Sequence, residues 1–135
     1  MAKRLTESQR QMYAEFSATF IRCWACEAKP LPREFRVGFY GMMEDNRLEN
    51  AHIVGGAGRV ADRRAIVRLC HAHHLLQEGN TLRHNGDPLP KITLENMLWL
   101  KMVNDPDFYD IEFIRECRNR KNGIVFVPDP IALGE

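Results

Sequence analysis

The residues ENAHIVGGAGR at positions 49–59 and LCHAHHLLQE at positions 69–78 decide the predicted fold of this chain. The first stretch has the alternation of a short strand, which we predict over 47–54, and its glycines predict an open surface loop. A second strand is predicted over 65–69, followed by a helix from His73 to Glu78 that Gly79 ends as a C′ residue. Two strands followed by a helix predict a small ββα core in an α+β protein.

Cysteine and histidine residues occur in two pairs with the spacing of a zinc site. Cys23 and Cys26 are separated by two residues, and Cys70 and His73 repeat that spacing. Two such pairs can place four ligand atoms around one ion, as a closed structural zinc site requires. We therefore predict a structural Zn²⁺ bound by these four residues, with the competing histidine, His71, exposed.

A further histidine and a glutamate form a second candidate cation site. His74 and Glu78 are four residues apart on the predicted helix, so both side chains project from one face and can bind the same cation. His52, on the preceding strand, is expected to lie near that face. Cleavage of a phosphodiester requires a group that deprotonates water and a cation that offsets the charge on the phosphate. A neutral imidazole and a helix-bound Mg²⁺ or Mn²⁺ would supply both.

These motifs resemble those of the HNH endonuclease family, whose core has the ββα-metal architecture. The run LENAHI at 48–53 is similar to the family's strand motif, in which a leucine and a glutamate precede a ligand position and the general-base histidine. The run CHAHH at 70–74, with Glu78 following, is similar to the corresponding segment of zinc-stapled members. The resemblance covers 23–78 and is strongest with compact phage and prophage nucleases linked to recombination.

The resemblance implies a role for each matching residue. His52 would be the general base, and Glu49 would have an orienting, structural role. His74 and Glu78 would hold the catalytic Mg²⁺ or Mn²⁺, while the four zinc ligands hold the fold together. The implied activity is that of a metal-dependent DNA endonuclease, encoded by a bacteriophage or prophage.

Two alanines depart from the family pattern. Ala51 occupies the position at which many members carry a histidine or aspartate ligand, and Ala65 lies near the middle asparagine of the motif. Each difference removes a metal ligand or a contact that orients the base. The alternative hypothesis is a zinc-stabilised module that binds nucleic acid or protein, has lost cleavage and needs only one zinc ion per chain.

Charge is unevenly distributed, although the net charge is only +1. Basic residues cluster between the glycine-rich loop and Cys70, and we predict that four of them contact DNA phosphates: Arg59, Arg63, Arg64 and Arg68. The alternative is a solvated charged face, in which one or two of them pair with Asp62. Acidic residues crowd the region from 105 to 116, which argues against DNA contact there.

The chain of 135 residues is long enough for one domain. We expect an N-terminal helix within 1–22, the zinc-stapled ββα core over 23–80 and a helical extension over 81–135. Amphipathic helices are predicted over 6–21, after Thr93 and over 109–118, and extended pieces within 30–46 and 124–130. Cys117 is predicted to be a small buried hydrophobic residue. The C-terminal helices either pack on the core or form a homodimer interface.

The sequence also argues against a membrane location. The N-terminus becomes polar before an apolar signal region could form, and no later run approaches the ~18 apolar residues of a membrane span. We therefore expect a protein of the cytosol, that of the host cell if a phage encodes it, without a membrane partner.

Overall fold

The structure is a computed structural model that describes residues 4–27, 47–84 and 86–121. Within these ranges the chain has the predicted α+β fold. The elements are helix α1 (Glu7–Thr19), strands β1 (Leu48–His52) and β2 (Ile66–Cys70), helix α2 (His71–Gln77), the short strands β3 (Arg83–His84) and β4 (Asp87–Pro88), and helices α3 (Leu94–Asn104) and α4 (Ile111–Lys121). The extended pieces predicted within 30–46 and 124–130 lie outside the described residues.

Helix α1 begins as its sequence predicts. The Thr6 hydroxyl accepts a hydrogen bond from the backbone N–H of Gln9 at 3.1 Å, and the Gln9 side chain accepts one from the Thr6 N–H at 2.9 Å. This capping box satisfies two amides that a helix start otherwise leaves without partners. Further along the helix, the fully buried Phe16 contacts the rings of Phe20 and Trp24, so α1 packs on the core through an aromatic cluster.

Strands β1 and β2 form an antiparallel pair, with Leu48 opposite Cys70 and His52 opposite Ile66. Helix α2 follows β2 directly and starts at His71, earlier than predicted, with Cys70 as an extended N-cap residue. The backbone N–H of His71 also donates to the Arg47 carbonyl at 2.9 Å, which continues the sheet ladder to the first helical residue. The described core therefore has the predicted strand, strand, helix order.

Helix α2 ends where the sequence predicts. Gly79 has a φ of +95°, a left-handed conformation that glycine adopts without strain. Its N–H donates to the Leu76 carbonyl, and the N–H of Asn80 donates to the Leu75 carbonyl. These two bonds form a Schellman motif, and they confirm Gly79 as the C′ residue.

The glycine-rich loop after β1 differs from the expected open surface loop. Gly58 is buried, and a Cβ atom there would overlap the Cys117 carbonyl oxygen and lie 2.5 Å from Cγ1 of Val54. The prediction of an open loop holds at the exposed Gly56 but is wrong at Gly58, because this part of the loop packs tightly against α4. Sequence periodicity does not reveal that contact. The close approach of two backbones requires glycine at this position.

Helices α3 and α4 pack on the core, one of the two alternatives predicted for them. Lys101 of α3 is fully buried, and its Nζ donates to the Arg63 carbonyl at 2.6 Å and to the Asp105 carboxylate at 2.9 Å. Arg63 in turn donates two hydrogen bonds to Asp105, at 2.9 and 3.0 Å. A buried charged network therefore joins α3 to the turn before β2. Cys117 of α4 is 1% exposed, which confirms its predicted burial.

Some of the apolar residues of the amphipathic helix predicted after Thr93, now α3, lie at the surface. Met97 and Leu100 are buried, whereas Trp99, Met102 and Val103 are between 37% and 43% exposed. Thr93 and Asn96 form the capping box at the start of this helix. No helix in the described ranges combines the length and the apolar composition needed to cross a bilayer. A homodimer through the C-terminal helices stays a prediction.

Candidate metal centre and adjoining cavity

The turn after α1 brings the first cysteine pair to the end of strand β2. The backbone N–H of Trp24 donates to the Arg68 carbonyl at 2.9 Å, which attaches the turn to the outer edge of the strand. The N–H of Cys26 points at the Cys23 sulfur at 3.4 Å. An amide that points at a sulfur favours the thiolate form that metals bind.

Cys70 and His73 complete a cluster at this point. His73 Nδ1 lies 3.3 Å from the Cys23 sulfur, 3.5 Å from the Cys26 sulfur and 3.3 Å from the Cys70 sulfur. All four candidate ligand atoms lie within 4.8 Å of one another. Tetrahedral zinc, with Zn–S bonds of about 2.3 Å and Zn–N bonds of about 2.0 Å, places sulfur and nitrogen about 3.5 Å apart. The cluster can therefore hold a metal ion such as zinc, with the ligand set predicted from spacing.

The crowding of these groups changes their acidities. The pKa of Cys26 is raised because its thiol donates hydrogen bonds to Cys23 and Cys70, and burial adds to this effect. The pKa of Cys70 is lowered because its sulfur accepts hydrogen bonds from the other two cysteines. Burial disfavours a charge on His73, yet hydrogen bonds with the Cys23 and Cys70 sulfurs outweigh it and raise the pKa to about 9. Protons and a cation compete for the same four atoms.

Glu49 of β1 contacts two histidines of α2. Its Oε1 accepts a hydrogen bond from Nδ1 of His74 at 2.7 Å, and its Oε2 accepts one from Nδ1 of His71 at 2.9 Å. Burial raises the pKa of the Glu49 carboxyl, but these hydrogen bonds outweigh it and lower the pKa overall. His71 was expected to be exposed, and this was wrong: it is half-buried because the paired strand brings Glu49 over the start of α2.

The second nitrogen of His74 faces the other predicted cation ligand. Because Nδ1 of His74 donates to Glu49, the lone pair of the neutral ring is on Nε2. That atom lies 3.7 Å from Oε2 of Glu78, one helical turn away. A carboxylate that fixes one ring nitrogen while the other faces a cation is the usual arrangement around metal-binding histidines.

His52 is held by a backbone carbonyl in the loop that follows β1. Its Nε2 lies 3.1 Å from the Val60 carbonyl oxygen and 3.4 Å from the Tyr13 hydroxyl. A carbonyl can only accept, so Nε2 carries the proton and Nδ1 carries the lone pair in the neutral ring. Burial, reinforced by the charge of Arg59, lowers the pKa of His52 to about 4. The imidazole is therefore neutral at pH 7 and able to accept a proton.

These side chains meet in a cavity of about 730 Å³. His52, His74 and Glu78 all belong to its lining. The remaining lining includes residues that the sequence analysis did not select: Asn50, Gln77, Arg118 and Lys121. Gln77 also donates to the His52 carbonyl at 3.1 Å, which ties α2 to β1.

The four arginines predicted to contact DNA have different environments. Arg59 is exposed and lines the cavity. Arg63 pairs with Asp105, and its guanidinium lies 4.1 Å from the centre of the Phe108 ring. Two further arginines also have intramolecular partners: Arg64 pairs with Asp62 and Asp110, and Arg68 donates to the Phe20 carbonyl and Asn50. Arg59 is thus the arginine of this set that faces the candidate site.

The two alanines that depart from the family pattern lie in the core. Ala51 is 0% exposed and Ala65 is 3% exposed. Ala51 belongs to the face of β1 that packs inward, so it contributes no group to the cavity. Among the described residues, the cysteine and histidine cluster is the one group of three or more candidate ligands close enough to share an ion.

Two features of the surroundings of His52 and the cavity had a weak signal in the sequence. Tyr13 lies in an amphipathic helix whose aromatic residues indicate core packing, and the contact between its hydroxyl and His52 spans 39 positions. Arg118 and Lys121 end a helix, where basic residues commonly stabilise the negative end of the helix dipole. Nothing in their spacing indicates that the helix ends beside β1.

Comparison with known proteins gives no match to any family model, curated protein or solved structure.

Proposed function

We propose that this protein is a metal-dependent DNA endonuclease of the HNH type. The observation that carries the proposal is the position of His52: a neutral imidazole, fixed through Nε2 by the Val60 carbonyl, lines the same cavity as His74 and Glu78. A proton acceptor and a pair of cation ligands in one cavity suit the hydrolysis of a phosphodiester. The resemblance of the 48–53 and 70–78 runs to HNH motifs supports the same activity.

The cysteine and histidine cluster has a structural role in this proposal. Zinc bound there would join the turn after α1 to the junction of β2 and α2. His74 follows the ligand His73 directly, so fixing the start of α2 also fixes the first residue of the cation pair. Small units with few apolar residues commonly depend on such an ion for stability.

The chemistry assigned to the chain is simple. Nδ1 of His52 accepts a proton from a water molecule, and the water oxygen forms a new bond to phosphorus. The bond from phosphorus to the leaving sugar oxygen breaks, and that oxygen takes a proton from solvent. Glu49 holds His74 in the orientation that directs Nε2 towards Glu78. A divalent cation such as Mg²⁺ or Mn²⁺ on His74 and Glu78 would neutralise charge on the phosphate.

A second candidate function is a zinc-stabilised module that binds nucleic acid without cutting it. The observation in its favour is the short ligand set at the cavity, where the described residues provide His74 and Glu78 but no third imidazole or carboxylate within binding distance. Ala51, buried in the core, occupies the position at which the family carries another ligand. This module would bind one zinc ion and no second cation.

Cleavage of supercoiled plasmid separates the two candidates. Wild-type protein of measured zinc content is incubated with plasmid in Mg²⁺, Mn²⁺ or no added divalent ion, beside His52→Ala. Nicking that requires Mg²⁺ or Mn²⁺ and is lost in the variant, with about one zinc per chain in both proteins, supports the endonuclease. Equal inertness of both proteins, together with DNA binding by both, would favour the binding module.

A further inference from the structure

Part of the lining of the cavity is basic, and the C-terminal helix supplies two of its cations. Arg118 and Lys121, in the last turn of α4, both line the cavity that contains His52, His74 and Glu78. Neither makes an ion pair with any residue in the described ranges. Arg59, exposed and also free of such a pair in those ranges, lies in the same lining. The lining thus combines histidines and a carboxylate with a group of cations, Arg59, Arg118 and Lys121, which we call the cationic wall.

Tight packing fixes the position of the cationic wall. The buried Gly58 lies against the Cys117 carbonyl, so the loop after β1 and the backbone of α4 are in direct contact. Two residues earlier, a Cβ atom at Gly56 would lie 3.9 Å from carbons of the Lys121 side chain. Arg59 follows this contact directly in the sequence. The same packing that requires glycine in the loop therefore places both basic elements beside β1.

Two of the acidic residues in the C-terminal region have basic partners within the protein. Asp105 is 5% exposed and is neutralised by Arg63 and Lys101, and Asp110 pairs with Arg64. Neither carboxylate is therefore an unpaired surface charge that would repel DNA. The Asp105 charge is instead neutralised inside the protein, and the partly exposed Asp110 carboxylate is paired with Arg64 at 3.1 Å.

We infer that Arg118 and Lys121, together with Arg59, bind the DNA phosphates on either side of the one that is cut. Exposed cations in the lining of a cavity attract a polyanion, and the pair of cation ligands in the same lining would position one phosphate between them. The identification of the central phosphate as the cut one rests on the proposed function. The phosphate binding itself does not, because it depends only on the cations.

The basic residues also have a purely structural explanation, since positive charge near the end of a helix stabilises it. Arg120 allows the two explanations to be separated. It lies in the same last turn and has the same favourable position relative to the dipole, but it does not line the cavity. A dipole effect predicts similar consequences of changing any of the three residues, whereas phosphate binding predicts a difference.

The experiment compares the wild-type full chain, Arg118→Ala with Lys121→Ala in one double variant, and Arg120→Ala. Binding of a fluorescent duplex is measured by anisotropy in Ca²⁺ at several salt concentrations. We expect the double variant to bind at least tenfold more weakly, with a salt slope shallower by about 1.8, because each phosphate contact contributes about 0.9. Arg120→Ala should bind within twofold of wild type. A double variant with wild-type affinity and slope, or a wild type that does not bind duplex, overturns the inference.

Folding and the proposed activity are monitored in parallel. Zinc content and Tm show whether each variant is folded. If the double variant is not, Arg118→Gln and Lys121→Gln are measured singly, and each should bind more weakly with a salt slope shallower by about 0.9. In Mg²⁺ or Mn²⁺, the double variant should have a KM for duplex at least tenfold higher, with a smaller effect on kcat. If the wild type cleaves DNA and the double variant cleaves and binds it equally well, the inference is refuted but the nuclease proposal is not. A wild type that binds through these residues but never cuts refutes the nuclease proposal alone.

Discussion

Glu49 Oε1 lies 2.7 Å from Nδ1 of His74, so a strand residue determines which nitrogen of a helix histidine is available for a cation. We expect Glu49→Gln to weaken binding of Mn²⁺ at His74 and Glu78 by about 10- to 100-fold, because outer partners of ligating histidines typically contribute that much. Titration calorimetry with Mn²⁺ on zinc-loaded protein measures this. Glu95→Gln, an exposed glutamate of α3, is the control. Unchanged Mn²⁺ affinity in Glu49→Gln would rule out the orienting role.

The cysteine and histidine cluster predicts that substitution of Cys70 and of Cys117 will affect zinc content differently. Cys70→Ser should lose most of the bound zinc and lower Tm by ~10 °C or more, since metal binding at a structural site contributes directly to folding free energy. Cys117→Ala removes an equally buried thiol outside the cluster and should keep about one zinc per chain, at a cost of ~1 kcal/mol. Elemental analysis and thermal unfolding test both variants. Equal zinc content in the two would argue against this ligand set.

The contact between Gly58 and Cys117 predicts a steric effect at one glycine. Gly58→Ala should destabilise the protein by ~1–3 kcal/mol, because the new methyl group overlaps backbone that has no room to move. Gly55→Ala, three positions earlier, adds a methyl group with nothing within 4 Å and should change stability by less than ~0.5 kcal/mol. Chemical denaturation compares the two. If Gly58→Ala were as mild as Gly55→Ala, α4 would not pack on the loop as described.

Burial of His52 predicts a pH dependence of stability. Its pKa falls from 6.5 to about 4 on folding. Between these values the unfolded chain binds a proton that the folded protein does not, so this stability is present above pH 6.5 and is lost as the pH falls towards 4. In the wild type, we expect this effect to lower the free energy of unfolding by ~1 kcal/mol over this window, a figure reduced for the partial exposure of the ring. His52→Gln should not show that decrease. Denaturation of both proteins at pH 7 and 4.5 measures the difference.

The same pKa predicts the pH profile of cleavage. With His52 as the base, kcat/KM should stay level as the pH is lowered from 7 to about 5.5, because the ring remains neutral well below the usual histidine range. Initial rates of plasmid nicking at fixed metal concentration give the profile. A drop centred near pH 6.5 would point to a different, more exposed histidine as the base.

The buried network around Asp105 predicts an unequal response of its members. Asp105→Ala leaves the fully buried Lys101 without its carboxylate and should cost ~3–5 kcal/mol. Lys101→Met should cost less, because Arg63 still donates two hydrogen bonds to Asp105. The exposed pair of Glu7 and Arg10 is the contrast, and Glu7→Ala should cost less than ~1 kcal/mol. Denaturation midpoints rank the three variants, and a reversed order for the first two would contradict the network.

Local features of the fold could be predicted from the sequence. The capping residues Thr6 and Thr93 and the C′ residue Gly79 act through hydrogen bonds within a few positions, so their effect is encoded in neighbouring residues. The cluster of candidate metal ligands could also be predicted, because cysteines and histidines separated by two residues can place their ligand atoms around one ion, and the two pairs have that spacing. Alternation along the strand predicted over 47–54 placed Ala51 and Ile53 on the same side, and both are buried.

The tertiary structure decided which charged and polar residues meet. Arginines of similar local surroundings have different roles, with Arg63 and Arg64 paired to aspartates more than 40 positions away and Arg59 left at the cavity. The partner of Glu49, the carbonyl that fixes His52 and the basic wall of α4 depend on how distant elements pack. Local sequence determines backbone conformation and ligand spacing, but charges act through space, so their partners follow only from the folded arrangement.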